Sequence, residues 1–87
     1  MKFEINDLLI VRGGETFYDG CPIIVKDIKK DYYWVYDFMS DRTCFDVGEK
    51  NLEKPSKLEL EQIQDFFKDF EKDYFLVKNA LEKIAKG

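Results

Sequence analysis

The sequence contains no histidine, and this absence narrows the chemistry that the chain can support. Histidine is the commonest general base at neutral pH and a frequent metal ligand. Cysteine is also scarce: Cys21 and Cys44 form no C-x-x-C pair, so the pattern gives almost no support to a zinc site. We expect both to be reduced, partly buried thiols. We therefore expect no enzyme activity, no catalytic residue, no metal and no cofactor.

Long apolar runs are missing as well. No run approaches the roughly 20 residues that a helix needs to cross a bilayer, and residues 1 to 4 lack the pattern of a signal peptide. Lysine supplies 12 of the 14 basic residues, while phenylalanine, tyrosine and isoleucine are frequent, which suggests an AT-rich gene of the kind found in low-GC bacteria and their phages. We expect a cytoplasmic protein with no membrane contact, in the host cytoplasm if a phage encodes it.

The charge balance is mildly acidic, with 18 acidic residues against 14 basic ones and a formal net charge of −4. This balance argues against a broad surface for nucleic acid or for an anionic membrane. The 87 residues form one small domain, and its 45% apolar and 16% aromatic content is sufficient for folding.

The chain divides near Pro55 into two halves with different patterns. Before it, short aromatic and β-branched runs alternate with Gly, Asp and Lys turns, while after it no Gly or Pro appears until Gly87. The pattern predicts a β module over residues 1–54 and an amphipathic helix over 55–87. The predicted strands cover residues 8–12, 22–28, 32–39 and 42–47, and the second and third of them form the expected hairpin.

Four stretches follow one another in the β half, within residues 3–54: "INDLLIVR", "YDGCPIIVKDI", "DYYWVYDF" and "NLEK". In this order they resemble the strands of the small Src-homology-3-like barrels, including KOW-type modules. The resemblance implies a barrel that a short last segment closes, and it brings no catalytic residue. The chain departs from the KOW pattern at Cys21-Pro22, where a second glycine would help the turn. The predicted fold class is α+β: a small bent antiparallel β-sheet or Src-homology-3-like barrel, followed by a long amphipathic C-terminal helix or helix pair.

The aromatic segment "DYYWVYDF" must be covered on both of its faces. Strand alternation places Trp34 on one face with Tyr32, Tyr36 and Phe38, and places Asp37 on the other with Tyr33, Val35 and Met39. Because a carboxylate is a poor core residue, we predict that the Trp34 face lines the barrel interior. The helix is then expected to cover the opposite face.

The second half carries the most regular pattern in the chain. Ser56 and Glu59 fit the S-x-x-E capping box, which predicts a helix start. The following apolar residues are spaced alternately three and four apart, which predicts one continuous apolar stripe along the helix. This apolar stripe consists of Leu60, Ile63, Phe67, Phe70, Tyr74, Val77, Leu81 and Ile84.

The length of this helix predicts self-association. A continuous helix from Ser56 to Lys86 would be about 45 Å long, whereas an eight-residue strand spans about 26 Å. Part of the apolar stripe would therefore overhang the sheet and meet a second copy, as in a homodimer. Two alternatives stay open: the helix breaks near Asp73 into two shorter helices that both fold onto the sheet, or the stripe receives a foreign partner.

Two charged surfaces complete the candidate sites. An acidic ridge on the helix, which could attract a basic protein, consists of Glu59, Glu61, Asp65, Asp69, Glu71 and Asp73. A basic and aromatic surface that could contact nucleic acid consists of Lys26, Lys29, Lys30, Tyr32 and Tyr33. We expect a non-enzymatic protein-binding module, a phage or mobile-element accessory protein that binds and inhibits a host protein. The alternative is a nucleic-acid-binding small β-barrel.

Overall fold

A computed structural model describes residues 2–13, 19–39, 42–67 and 74–86. Within these ranges the protein has an antiparallel sheet followed by two helices, so the predicted α+β class is confirmed. The strands are β1 (Leu8–Val11), β2 (Pro22–Ile28), β3 (Tyr33–Asp37), β4 (Cys44–Val47) and β5 (Leu52–Glu53), and the helices are α1 (Lys57–Phe67) and α2 (Tyr74–Lys86).

The sheet is a curled half-barrel with the strand order β4-β3-β2-β1-β5. The first four strands form a meander, and the predicted β2–β3 hairpin is confirmed. A single 3₁₀ turn (Glu49–Asn51) then leads into β5, which returns to β1 and pairs Leu52 with Val11. This arrangement is compatible with a small barrel-like fold.

A β-bulge at Lys26 bends the hairpin. Val25 lies opposite Val35, but the next paired residue of β2 is Asp27, which lies opposite Trp34. Lys26 is thus the extra residue of the bulge, and such an insertion increases the local twist of the strand. The bend helps the short meander to curl around a core.

The concave side of the sheet holds the inner core, and the prediction that Trp34 lines it is wrong. Tyr33 and Val35 are fully buried there, whereas Trp34 lies on the outer face and is 37% exposed. Burial of the large Tyr33 ring on the concave side decides which set of alternating residues faces inward. The inner core consists of Phe3, Leu9, Val11, Ile23, Val25, Tyr33, Val35, Val47 and Leu52, with Phe45 packed against it.

Asp37 explains why the prediction failed. This residue is 0% exposed, although we expected a carboxylate to stay out of the core. Its Oδ1 atom accepts hydrogen bonds from the Cys21 thiol, at 3.2 Å, and from the Met39 N–H group, at 3.1 Å. A buried carboxylate that is hydrogen-bonded in this way is tolerated, so the polarity of Asp37 did not indicate the exposed face.

The N-terminal segment closes the open side of the half-barrel. The Phe3 N–H group donates to the Tyr33 hydroxyl oxygen at 2.9 Å, and the Tyr33 hydroxyl donates to the Glu49 carboxylate at 2.9 Å. The Lys2 N–H group donates to the same Glu49 oxygen. The Phe3 and Tyr33 rings also pack at 5.8 Å between centroids. Glu49 and Tyr33 therefore fasten the segment over the inner core.

Stability should decrease in acid because of Glu49. Hydrogen bonds from Lys2 N–H and then from the Tyr33 hydroxyl hold the Glu49 pKa below its ordinary value of 4.5. A lowered folded-state pKa contributes stability that is present above the unfolded-state pKa and is lost as the pH falls through the folded-state value. Urea unfolding at pH 7 and near pH 3.5 should show a smaller acid loss for Glu49→Gln than for wild type. The free energy of unfolding of the exposed control Glu61→Gln should fall as much in acid as that of wild type. If that of Glu49→Gln also falls as much, Glu49 does not have this role.

Both helices pack on the outer face of the sheet, as the helix-pair alternative predicts. The described residues contain two helices, α1 up to Phe67 and α2 from Tyr74, while the predicted break near Asp73 lies outside the described residues. Together they cover the half of the face beside β1. This outer core consists of Leu8, Ile10, Ile24, Phe38, Ile63, Val77 and Ala80, with Tyr36, Met39, Leu60 and Leu81 packed against it.

The start of α1 follows the predicted capping box. Glu59 N–H donates to Ser56 Oγ at 3.1 Å, and Ser56 N–H donates to the Glu59 carboxylate at 2.9 Å, so the prediction is confirmed. Arg12 ties this helix start to the sheet, because its guanidinium contacts Glu53 at 2.9 Å and Glu59 at 2.6 Å. In the described part of the chain, no helix combines the length and apolar character that a membrane crossing requires.

Candidate protein-binding surface

The apolar stripe is largely used inside the molecule. Ile63 and Val77 are buried against the sheet, Leu60 and Leu81 are half-buried, and Ile84 is 37% exposed. The remaining predicted members, the side chains of Phe67 and Tyr74 and the whole of Phe70, lie outside the described residues.

The length mismatch that motivated the homodimer is absent from the described elements. α1 and α2 have 11 and 13 residues, which correspond to about 17 and 20 Å of helix. These lengths suit a five-residue strand such as β3, which spans about 17 Å. No long helix extends beyond the sheet here, and the homodimer stays a prediction.

The acidic ridge is only partly described. Glu61 and Asp65 are exposed on α1, as predicted. Glu59 differs, because it is half-buried and engaged by Ser56 and Arg12. Burial alone would raise the Glu59 pKa, but the hydrogen bonds from these two partners outweigh it and hold the pKa below 4.5. The other predicted members, Asp69, Glu71 and Asp73, lie outside the described residues.

The structure separates the residues of the predicted nucleic-acid surface. Lys26, Lys29 and Lys30 are exposed, and Tyr32 is half-buried. Tyr33 is 0% exposed, so its placement on a binding surface is wrong. Strand alternation puts Tyr33 on the concave side, where its hydroxyl fastens the N-terminal segment. Its aromatic ring is therefore unable to stack on a base.

The outer face instead presents the single tryptophan of the chain. Trp34 lies opposite Asp27 of β2 on one side and opposite Asp46 of β4 on the other. The helices pack over the part of this face that contains Tyr36 and Phe38, and Trp34 does not belong to that outer core. We call Trp34, Asp27 and Asp46, together with Lys29 and Tyr32 of the adjoining turn, the Trp34 surface.

The neighbours of Trp34 in the sheet carry charges of both signs. Lys29 Nζ contacts the Asp27 carboxylate at 2.9 Å. This hydrogen bond is the main cause of the raised Lys29 pKa, the negative charge of Asp27 adds to it, and Tyr32 and Asp46 make smaller contributions. The same bond, followed by one from the Ile28 N–H group, lowers the Asp27 pKa. Asp46 is exposed and pairs with no lysine or arginine among the described residues.

Two other concave regions carry different chemistry. A cavity of about 440 Å³ lies between the N-terminal turn and the end of α2, beside Lys83. The Lys83 ammonium donates to Asp7 at 2.8 Å and to the Ile5 carbonyl oxygen at 3.1 Å, so its charge already serves to hold α2 in place. A second cavity of about 340 Å³ lies beside Ile63 and Phe66. In the described ranges, no three His, Cys, Asp or Glu side chains are grouped so that they could hold a metal ion.

Comparison of the chain with protein-family models, with curated proteins and with solved structures finds no match. The function must therefore be argued from the Trp34 surface itself. The sequence pattern does not reveal this surface, because strand alternation defines two faces of β3 without showing which of them is exposed. The strand register reveals the surface, because it places Trp34 of β3 between Asp27 of β2 and Asp46 of β4.

Proposed function

We propose that the protein is a non-enzymatic protein-binding module that recognises its partner through the Trp34 surface. The observation that carries this proposal is the 37% exposure of Trp34, a large aromatic side chain on the outer face of the sheet. Tryptophan is among the residues most enriched at the energetic centres of protein interfaces. An exposed tryptophan with charged neighbours has the composition of such a centre and its polar rim.

The same surface favours protein over nucleic acid as the partner. Lys29 is paired with Asp27, and Asp46 adds another negative charge beside Trp34. A phosphate backbone would meet these carboxylates at the place where the exposed aromatic ring lies, which opposes binding. Because Tyr33 is buried and the charge of Lys29 is paired with Asp27, neither residue supports the nucleic-acid alternative.

The proposal also assigns the β-sheet to the Src-homology-3-like barrels. The short last strand β5, which pairs with β1, supports this classification, because the resemblance implies a barrel that a short last segment closes. In this proposal the protein is such a barrel, with an added helix pair on its outer face. Its role as a phage or mobile-element accessory protein that inhibits a host protein is proposed from composition alone.

Affinity capture with matched variants tests the proposed function. Immobilised wild type should retain a stoichiometric protein from a low-GC bacterial lysate, and Trp34→Ala should lose it, because truncation of an interface tryptophan costs roughly 2 kcal/mol or more, about a thirtyfold loss of affinity. Leu58→Ala is the control, since Leu58 is 64% exposed on α1, away from this surface. Retention by Leu58→Ala together with loss by Trp34→Ala supports the proposal.

Two results would contradict the proposed function. The first is capture that survives Trp34→Ala but fails with Leu58→Ala, which would move the interface to the helices. The second is binding of labelled DNA or RNA that weakens steeply with salt and disappears in a Lys26→Glu, Lys30→Glu double variant, because that behaviour belongs to the nucleic-acid alternative.

A further inference from the structure

β4 is an edge of the sheet, and its outward backbone groups can be assigned. The Asp37 N–H group donates to the Thr43 carbonyl oxygen at 2.9 Å, which makes these two residues a hydrogen-bonded pair of the β3–β4 ladder. Bonded and non-bonded pairs alternate in antiparallel sheets, so Phe45 is bonded to β3, while the N–H and C=O groups of Cys44 and Asp46 point away from β3. No described strand pairs with these outward groups.

The side chains next to this edge form part of the Trp34 surface. Asp46 and Trp34 are a non-bonded pair, which is the closer kind, with Cα atoms about 4.5 Å apart. A strand added beside β4 would lie about 4.8 Å from it and would place one residue directly opposite Asp46, on the same face as Trp34. A lysine or arginine at that position could contact both the Asp46 carboxylate and the indole ring.

We propose that the β4 edge binds an extended segment of a partner protein by strand addition, with a lysine or arginine of that segment opposite Asp46. This inference rests on the proposed function and adds its mode of binding and the chemistry of its partner. Backbone hydrogen bonds to Cys44 and Asp46 supply affinity, and the cation beside Trp34 supplies specificity. In an antiparallel segment, the residue two positions after this cation lies opposite the half-buried Cys44, and a small apolar side chain fits there.

A second copy of this chain fits the edge less well than a basic segment does. Antiparallel pairing of β4 with another β4 over more than one residue would place either Asp46 or Cys44 opposite Asp46. The first arrangement opposes like charges, and the second leaves Asp46 without a cation. A register that places Arg42 opposite Asp46 pairs only Cys44 with Cys44 within the two strands, and the positive φ of Arg42 does not suit an extended strand. The residues of β4, Cys44–Val47, include no base. Charge complementarity therefore selects a basic segment from another protein.

NMR titration with a defined peptide tests the inference. The probe is the acetylated and amidated peptide Thr-Arg-Val-Val-Thr, and the matched control peptide has glutamate in place of arginine. The arginine peptide should shift the amide signals of Cys44 and Asp46 in the wild-type protein and slow their hydrogen exchange. The glutamate peptide should bind more weakly, by about two- to tenfold, since it places like charges opposite each other.

Substitutions at Asp46 and Cys44 distinguish the contribution of the Asp46 charge to peptide binding from that of the backbone hydrogen bonds. Asp46→Asn should weaken binding of the arginine peptide by about 1.5- to 5-fold. Cys44→Pro removes an outward N–H group and should weaken binding by about 2- to 10-fold, whereas Cys44→Ala should leave it unchanged. Proline is tolerated on an edge strand where the N–H group faces solvent. If Cys44→Pro does not fold, Asp46→Asn and the two peptides still decide the outcome.

Three results would overturn the inference: no change at the Cys44 and Asp46 amides at millimolar peptide, equal binding of the two peptides, or chemical shifts confined to α1 and α2. The lysate capture separates this failure from failure of the proposed function. If capture is lost in Trp34→Ala but unchanged in Asp46→Asn and Cys44→Pro, the proposed function is supported and strand addition is overturned. Capture that is lost in all three variants supports both.

Discussion

Replacement of Val77 by aspartate should remove a large part of the protein's stability at neutral pH. Val77 is 0% exposed and lies in the outer core between α2 and the sheet. A carboxylate there would be buried without an ionic partner, and we expect a loss of about 4 kcal/mol or more in the free energy of unfolding. Small domains have only about 5–15 kcal/mol in total. Urea unfolding, followed by far-ultraviolet circular dichroism and by Trp34 fluorescence, measures the loss.

The adjacent residue provides the matched control. Lys78 is exposed on the same helix, so Lys78→Asp should change the free energy of unfolding by no more than about 0.5 kcal/mol. In Val77→Asp both spectroscopic signals should move to lower urea together, since the helices and the sheet share the outer core. Loss of helical signal with an unchanged Trp34 transition would instead mean that residues 1–54 fold without the helices.

Replacement of Phe3 by alanine should cost about 3–5 kcal/mol in the free energy of unfolding. The Phe3 ring is 3% exposed, packs on Tyr33 and belongs to the inner core. Its removal leaves a cavity where the N-terminal segment closes the half-barrel. Thermal and urea unfolding of the variant measure the effect, which should exceed that of any substitution on the exposed N-terminal turn.

Two further variants make this result specific. Ile5 is 48% exposed in the same segment, so Ile5→Ala should change stability by about 0.5 kcal/mol or less. Tyr33→Phe should cost about 1–3 kcal/mol, because it leaves the buried Phe3 N–H group without its acceptor. Equal effects of Phe3→Ala and Ile5→Ala would show that the N-terminal segment does not contribute to the core.

The elements that local rules govern could be predicted from the sequence. β2 was predicted with the observed ends, because Pro22 begins the run and the Lys29-Lys30-Asp31 turn ends it. The Ser56 capping box was predicted because its two reciprocal bonds involve residues only three apart. In each case the deciding contacts lie within a few residues, so the pattern contains the information.

Features that depend on distant contacts could not be predicted in the same way. The inward placement of Tyr33 depends on Phe3 and Glu49, which are 30 and 16 residues away from it. The burial of Asp37 depends in the same way on a thiol 16 residues away, at Cys21. Alternation defines two faces but does not say which one is covered. The exposed Trp34 was therefore assigned to the wrong side, and the candidate site was missed with it.

The apolar stripe shows a third kind of limit. Its three-four spacing predicts an amphipathic helix, and Ile63 and Val77 of this stripe both lie in the outer core. The same spacing is compatible with one long helix or with two that keep the same phase. No proline or glycine occurs between Pro55 and Gly87, so the sequence itself does not choose between the two.

The closure of the half-barrel by the N-terminal segment has a consequence for the order of folding. The β2–β3 hairpin joins residues that are close in sequence, but Lys2 reaches Glu49 across 47 positions, and Arg12 reaches Glu59 across the same separation. Contacts of such high contact order form late and slow the overall rate. On the ribosome, the meander can pair as it emerges, whereas Phe3 stays exposed to chaperones and proteases until more than half of the chain has been synthesised.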